Sequence, residues 1–161
     1  MPMTPYHEEE HIMKRIVSTV AVFCLFLTAQ PIAHAETQQE RNKKLVLEFY
    51  EAAINRKDFA AASKYMGTQY RQHNPLAADG PAGLQAYLQF LKEKFPASHS
   101  EIKKVFADGD YVILHVHAVR VPNTRGSAIV DIFRLENGKV VEHWDVIQEI
   151  PENAANGNGM F

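Results

Sequence analysis

The sequence predicts an α+β fold: three helical segments, then four strands forming a cone-shaped, curved antiparallel sheet packed on those N-terminal helices and enclosing a pocket. Three observations predict it. Apolar residues recur at helical spacing between 39 and 55 and again between 80 and 95, the period of an amphipathic helix. From His99 onward, β-branched alternating runs are separated by the turn signals Asp108-Gly109-Asp110, Pro122-Asn123 and Asn137-Gly138, which is how hairpin-linked strands read. Helices gathered at one end of a strand meander imply segregated α+β, not alternating α/β.

The first element is not part of that fold. Lys14-Arg15 precedes an apolar stretch from Ile16 to Ala29, and Ala33-His34-Ala35 follows it. A basic flank, a short apolar core and an Ala-x-Ala end match a secretory signal peptide cleaved after Ala35. The apolar stretch is about 14 residues, against the ~20 of a spanning helix; a retained membrane anchor is the alternative. Residues 1–12 fit a basic flank badly, so Met13 is a candidate start. The expectation is therefore export to the periplasm or exterior, a single domain over 36–150 and a flexible C-terminal tail over 151–161.

Bulk properties exclude several functions. The 17 Lys and Arg nearly balance the 19 Asp and Glu, for a formal charge of −2, and no basic stripe suggests a nucleic-acid partner. The one cysteine, Cys24, lies in the leading apolar stretch. The domain thus has no disulfide, thiol nucleophile or cysteine-based metal site. There is no Gly-rich phosphate loop, nucleotide fingerprint or Gly-x-Ser-x-Gly elbow.

Within the domain, Leu45, Val46, Phe49, Tyr50, Ala53 and Ile54 form the stripe of the first helix. Asn55-Arg56-Lys57-Asp58 breaks it, and Asp58 is a plausible N-cap for a short helix through Met66. Tyr70-Arg71-Gln72-His73-Asn74-Pro75 reads as a polar rim loop, with Pro75 biasing Asn74 toward extended backbone. Gly80-Pro81 opens the third helix, Pro being tolerated at a first helical position, and Pro96 ends it. Strands are expected over 99–107, 111–121, 126–136 and 139–150, the last two joined by Asn137-Gly138.

The chemistry gathers on the last two strands. Alternation puts Val141, His143, Asp145 and Ile147 on one face, and Glu142, Trp144, Val146 and Gln148 on the other. A carboxylate on an inward face needs a partner, ligand or water. In an apolar cavity its pKa rises and it can serve as a general base near neutrality. Asp131 interrupts the apolar run Ala128-Ile129-Val130-Asp131-Ile132-Phe133; the alternative role is a salt bridge to Arg120 or Arg134, or an outward-facing solvated position. His73 and His143 are candidate donors to a developing enolate oxygen. His115 and His117 share a face with Ile113 and Val119, about 7 Å apart on a strand, as pocket-lining side chains or, with Asp131, as metal ligands. Trp144 is assigned to packing on the outer face.

Tyr70–Pro75, the spaced Gly80, Val130-Asp131-Ile132-Phe133-Arg134 and the run Asn137–Gln148 together resemble the SnoaL-like polyketide cyclase family, within the nuclear-transport-factor-2-like superfamily that includes ketosteroid isomerases. The resemblance spans about 38–148. It implies an α+β cone with a cavity at one end, frequent homodimerisation through the sheet, and a small-molecule substrate. It also implies cofactor-free aldol, cyclase or isomerase chemistry on a carbonyl compound. Asp145 matches the acid/base aspartate of the cyclases and Asn74 a polar pocket residue, whereas Asp131 falls where cyclases can carry histidine. The predicted site is thus Asp145, His143 and Asp131 as catalytic groups, with His73, Asn74, His115 and His117 binding substrate and no resident metal. A non-catalytic exported binding protein for a small hydrophobic ligand is the competing reading.

Overall fold

The computed structural model describes residues 35–161; the expected signal segment, and the anchor that is its alternative, lie outside them. Among the described residues no helix is long and apolar enough to cross a membrane. Helix α1 (Gln38–Tyr50) starts in a capping box, Thr37 Oγ1 accepting from Glu40 N at 3.2 Å and Glu40 Oε2 accepting from Thr37 N at 2.9 Å. Its end widens into a π-helical turn, Glu51–Asn55. Such turns are rare and mark local specialisation. Here Asn55 exchanges two hydrogen bonds with the Ser100 backbone, at 3.1 and 2.9 Å, clamping helix to sheet.

Asp58 caps α2 (Phe59–Ala62), accepting from Ala61 N at 3.0 Å. That helix is shorter than expected. After a 3-10 turn the chain becomes an unanticipated strand, β1 (Met66–Gln72), and Tyr70–Gln72 belong to it rather than to a loop. Helix α3 (Gly80–Lys94) follows, with Pro at its start. The remaining strands are β2 (His99–Asp108), β3 (Tyr111–Val119), β4 (Ser127–Glu136) and β5 (Lys139–Glu149).

The sheet order is β1-β5-β4-β3-β2. The last four strands form the expected antiparallel meander, while β1 adds to its edge parallel to β5. Asn137 and Gly138 take φ of 51° and 68°, both left-handed, as a type I′ hairpin requires. Just beyond that turn, Leu135 pairs with Val140 but Arg134 pairs with Glu142. The unpaired Val141 is a β-bulge, which resets side-chain parity. It corrects the strict alternation: Val140 is fully buried in the core, Val141 leaves the inner face, and the phase expected for 142–148 holds from Glu142 onward.

At one end of the inner face, Val112, Leu114, Val116, Leu135 and Val140 pack against Val46, Phe49 and Leu88, each fully buried side chain contributing about 1.5–3 kcal/mol. At the other end that packing gives way to polar residues and the helices leave space. The tail after Pro151 touches the domain through Glu152 and Phe161. Glu152 pairs with Arg125 at 3.2 Å, and the Phe161 ring lies 5.2 and 4.9 Å from the His115 and His117 rings.

Candidate active site

The space left between α1, α3 and the sheet is a cavity of about 510 Å³, within the usual range for small-molecule sites. Its walls are largely aromatic and aliphatic, including Phe49, Tyr50, Leu84, Tyr87, Ile129 and Phe133. Against them stand Asp131, His143, Asp145, Asn74 and Gln72.

Strand pairing explains why these meet. Asp131 and Asp145 are direct cross-strand partners on β4 and β5, and Gln72 of β1 lies beside His143. Like charges directly opposite on one face destabilise a sheet, so this pairing demands a proton or a counter-charge. His143 answers the demand: its Nε2 lies 3.0 Å from Asp131 Oδ1. Its Nδ1 lies 3.0 Å from Gln72 Oε1, and that same oxygen accepts from Asn74 N at 2.9 Å. The backbone N–H identifies the Gln72 atom as the acceptor, so His143 Nδ1 carries a hydrogen. When His143 is neutral its Nε2 is then an acceptor. The Nε2–Oδ1 contact therefore holds a proton, either as imidazolium with carboxylate or as imidazole with carboxylic acid.

Asp131 is 5% exposed, and its Oδ2 has no hydrogen-bond partner among the described residues. Burial pushes its carboxyl above the usual aspartate range; His143 opposes this, and the Asp145 charge adds to it. Neither arginine partner suggested by the sequence is engaged: Arg134 binds Glu142 and Arg120 binds the Tyr87 hydroxyl. Asp145 is half-buried and accepts from Asn74 Nδ2 at 2.7 Å. Asn74 Oδ1 accepts from Leu76 N at 2.8 Å, so one amide ties Asp145 to the loop at the cavity mouth. One potential ligand atom each from Asp131, His143 and Asp145 lies within 4.8 Å of the others. A cation in the cavity would meet those three.

Of the residues predicted to form the site, Asp145, His143, Asp131 and Asn74 converge on the cavity. His73, His115 and His117 do not. Because Tyr70–Gln72 is a strand, His73 falls on the outer face, 2.9 Å from Glu142 Oε1 and stacked on Trp144 with ring centroids 4.6 Å apart. His115 and His117 lie on the face opposite the buried Val112, Leu114 and Val116. They meet Phe161 instead, so the His115–His117–Asp131 ligand set does not assemble.

Sequence reasoning missed Gln72, which fixes the His143 tautomer, and the tyrosines Tyr50, Tyr70 and Tyr87 in the wall. Burial raises all three phenols above the usual range, with Asp131 and Asp145 adding to the rise. Tyr87 had a legible signal, being apolar-stripe and polar-tipped at once; Gln72 had none.

No protein of curated function matches the chain. Solved structures do. A candidate hydroxylase from Streptomyces galilaeus is 25% identical over 70% of this chain and 82% of its own, with a TM-score of 0.58. A candidate polyketide cyclase from Acidithiobacillus ferrooxidans (19% identity, 69% and 90% coverage, TM-score 0.58) and a candidate ketosteroid isomerase from Kribbella flavida (18%, 76% and 88%, 0.60) share the fold. The family profile of the SnoaL-like domain matches residues 46–143, more than half of the chain and ending two residues before Asp145. The chain belongs to the SnoaL-like family, on the nuclear-transport-factor-2-like fold.

Proposed function

We propose that this protein is an acid–base enzyme of the aldol, cyclase or isomerase type, acting on a small carbonyl compound through its own side chains. The observation that carries the reading is the Asp131–Asp145 pair, two carboxyls facing each other in an apolar cavity with one buried histidine hydrogen-bonded to Asp131. Asp145 takes the proton α to the carbonyl. Asn74 orients it through one amide N–H, and the other N–H, without an acceptor among the described residues, is available to the forming enolate oxygen. The proton held between His143 and Asp131 balances the enolate charge, and in the second step Asp145 returns the proton it took, to carbon in an isomerisation or to the new alkoxide oxygen in an aldol closure. Such stabilisation is strongest where water is excluded.

The test is α-proton exchange of 2-tetralone in deuterium oxide, followed by NMR with the parent protein and Asp145→Asn. The reading expects catalysed exchange by the parent and its loss in the variant. Binding of the ketone without exchange in either would favour the non-catalytic carrier.

Two further elements belong to the same proposal. Export rests on the leading basic–apolar–Ala-x-Ala segment. Homodimerisation through the outer face is supported by an apolar row, Phe106, Ile113, Ile132 and Trp144, running across four paired strands. Beside it stands the exposed cross-strand pair Val130 and Val146, the latter 71% exposed. Monomers rarely leave such a contiguous patch to solvent. Sedimentation equilibrium should give a dimer mass, and Val146→Glu should give a monomer.

A further inference from the structure

The inner face of β3 is read out by its even-numbered positions. Val112, Leu114 and Val116 are fully buried, Ala118 reaches the cavity, and the next residue of that parity is Arg120. A guanidinium thus stands where the pattern would place an aliphatic side chain. Among the described residues Arg120 is the one Lys or Arg lining the cavity. Its Nη2 donates to the Tyr87 hydroxyl at 3.0 Å, and its guanidinium lies 5.5 Å from the Phe95 ring centroid. The side chain is thereby held at the mouth. Among the described residues it makes no ion pair, unlike Arg71, Arg125 and Arg134.

The cavity is therefore polarised along β3. Leu114 is the β3 partner of Asp131, and Arg120 lies six residues further on. Those six residues span roughly 20 Å of strand, shortened by the reach of the side chains. Tyr87 bridges the two ends: its phenol feels Arg120 from one side and Asp145 and Asp131 from the other. Because Tyr87 accepts from Arg120, its own hydrogen remains free to donate. A cation and a hydroxyl donor in a fixed fork suit a planar anionic acceptor.

Building on the carbonyl reading above, we propose that the cavity takes carbonyl compounds bearing a carboxylate remote from the carbonyl, and that Arg120, positioned by Tyr87, selects them. The carbonyl end goes to the Asp131–Asp145 pair, which repels an anion. The carboxylate end goes to Arg120 and Tyr87 at the mouth, where it stays partly hydrated and its desolvation cost is low.

Isothermal titration of the full chain at low ionic strength tests this with a matched pair of ligands, 6-oxo-6-phenylhexanoate and its primary amide. The acid should bind about 5- to 10-fold more tightly than the amide, a margin discounted for the exposure of Arg120. The margin should narrow at 0.5 M salt. In Arg120→Gln the two ligands should bind alike, with amide affinity unchanged as the sign of an intact cavity. Arg120→Glu should reverse the order. Equal binding of acid and amide by the parent, or a preference that survives Arg120→Gln, would overturn the inference and leave the carbonyl reading standing. If neither ligand bound, both would fall.

Discussion

Strands β4 and β5 carry a carboxylate paired with a histidine on each face, and the two pairs are built oppositely. On the outer face Glu142, 7% exposed, accepts from Arg134 Nε at 2.7 Å, from His73 Nε2 at 2.9 Å, and lies 3.7 Å from Arg71. On the inner face Asp131 meets His143 at 3.0 Å and no arginine, and has one oxygen without a partner among the described residues. Burial acts to raise Glu142, but its hydrogen bonds from His73 and Arg134 outweigh that and hold its carboxyl below the usual range. Burial wins at Asp131 and lifts it. A buried charge that is fully compensated fastens structure; one left short of partners keeps its proton available. On the proposed reading the same two strands separate a structural carboxylate from a chemical one, by arginines that reach Glu142 and not Asp131.

The largest way to break this comparison is at the cavity. Asp145→Asn should reduce α-proton exchange by about 10²–10⁴-fold, the usual worth of a positioned general base, with ketone binding retained. Asn74→Ala should cost about tenfold, because it removes one charge-assisted hydrogen bond to the base, worth about 1.5–3 kcal/mol less the share that water restores.

Smaller effects separate the two faces by sign. Glu142→Gln should destabilise the fold by about 1–2 kcal/mol at pH 7, less than the 3–5 kcal/mol of a fully buried pair because Arg71 and Arg134 reach solvent. Thermal unfolding should fall by about 5 °C. Asp131→Asn should instead hold or raise stability at pH 7, by about 1 kcal/mol, while exchange is lost. The pH dependence follows the same signs. The Glu142 contribution is present above its ordinary value of 4.5 and is lost as pH falls through the lower folded value. The Asp131 penalty is absent below its ordinary value of 3.8 and grows as pH rises through the higher folded value. Unfolding curves of the two variants against pH check both.

Local chemistry made much of this readable from sequence. The Asp58 cap, the proline opening α3 and the Asn137-Gly138 turn each act over a few residues, and the starts they set fall where expected, although the helix after Asp58 ends early. Asp131 and Asp145 stood out because carboxylates interrupt apolar strands. What escaped depends on distant partners. Strand β1 has only Met66 and Tyr70 buried and pairs with a strand some seventy residues later, so no local period announces it. Missing β1 is what placed His73 in the pocket rather than against Glu142 and Trp144. The parity of His115 and His117 was undecidable because both faces of β3 are apolar, one filling the core and the other, with Ile113, forming the outer patch. The Val141 bulge is set by the register between β4 and β5, which a single strand does not encode.

The most direct measurement is a ¹³C NMR titration of the carboxyl carbons of Asp131 and Glu142 in the same sample. The account predicts displacements in opposite directions, Asp131 titrating above 3.8 and Glu142 below 4.5. An Asp131 that titrates at or below its ordinary value would mean a compensated carboxylate on the inner face, and would contradict the assignment of that face to acid–base chemistry.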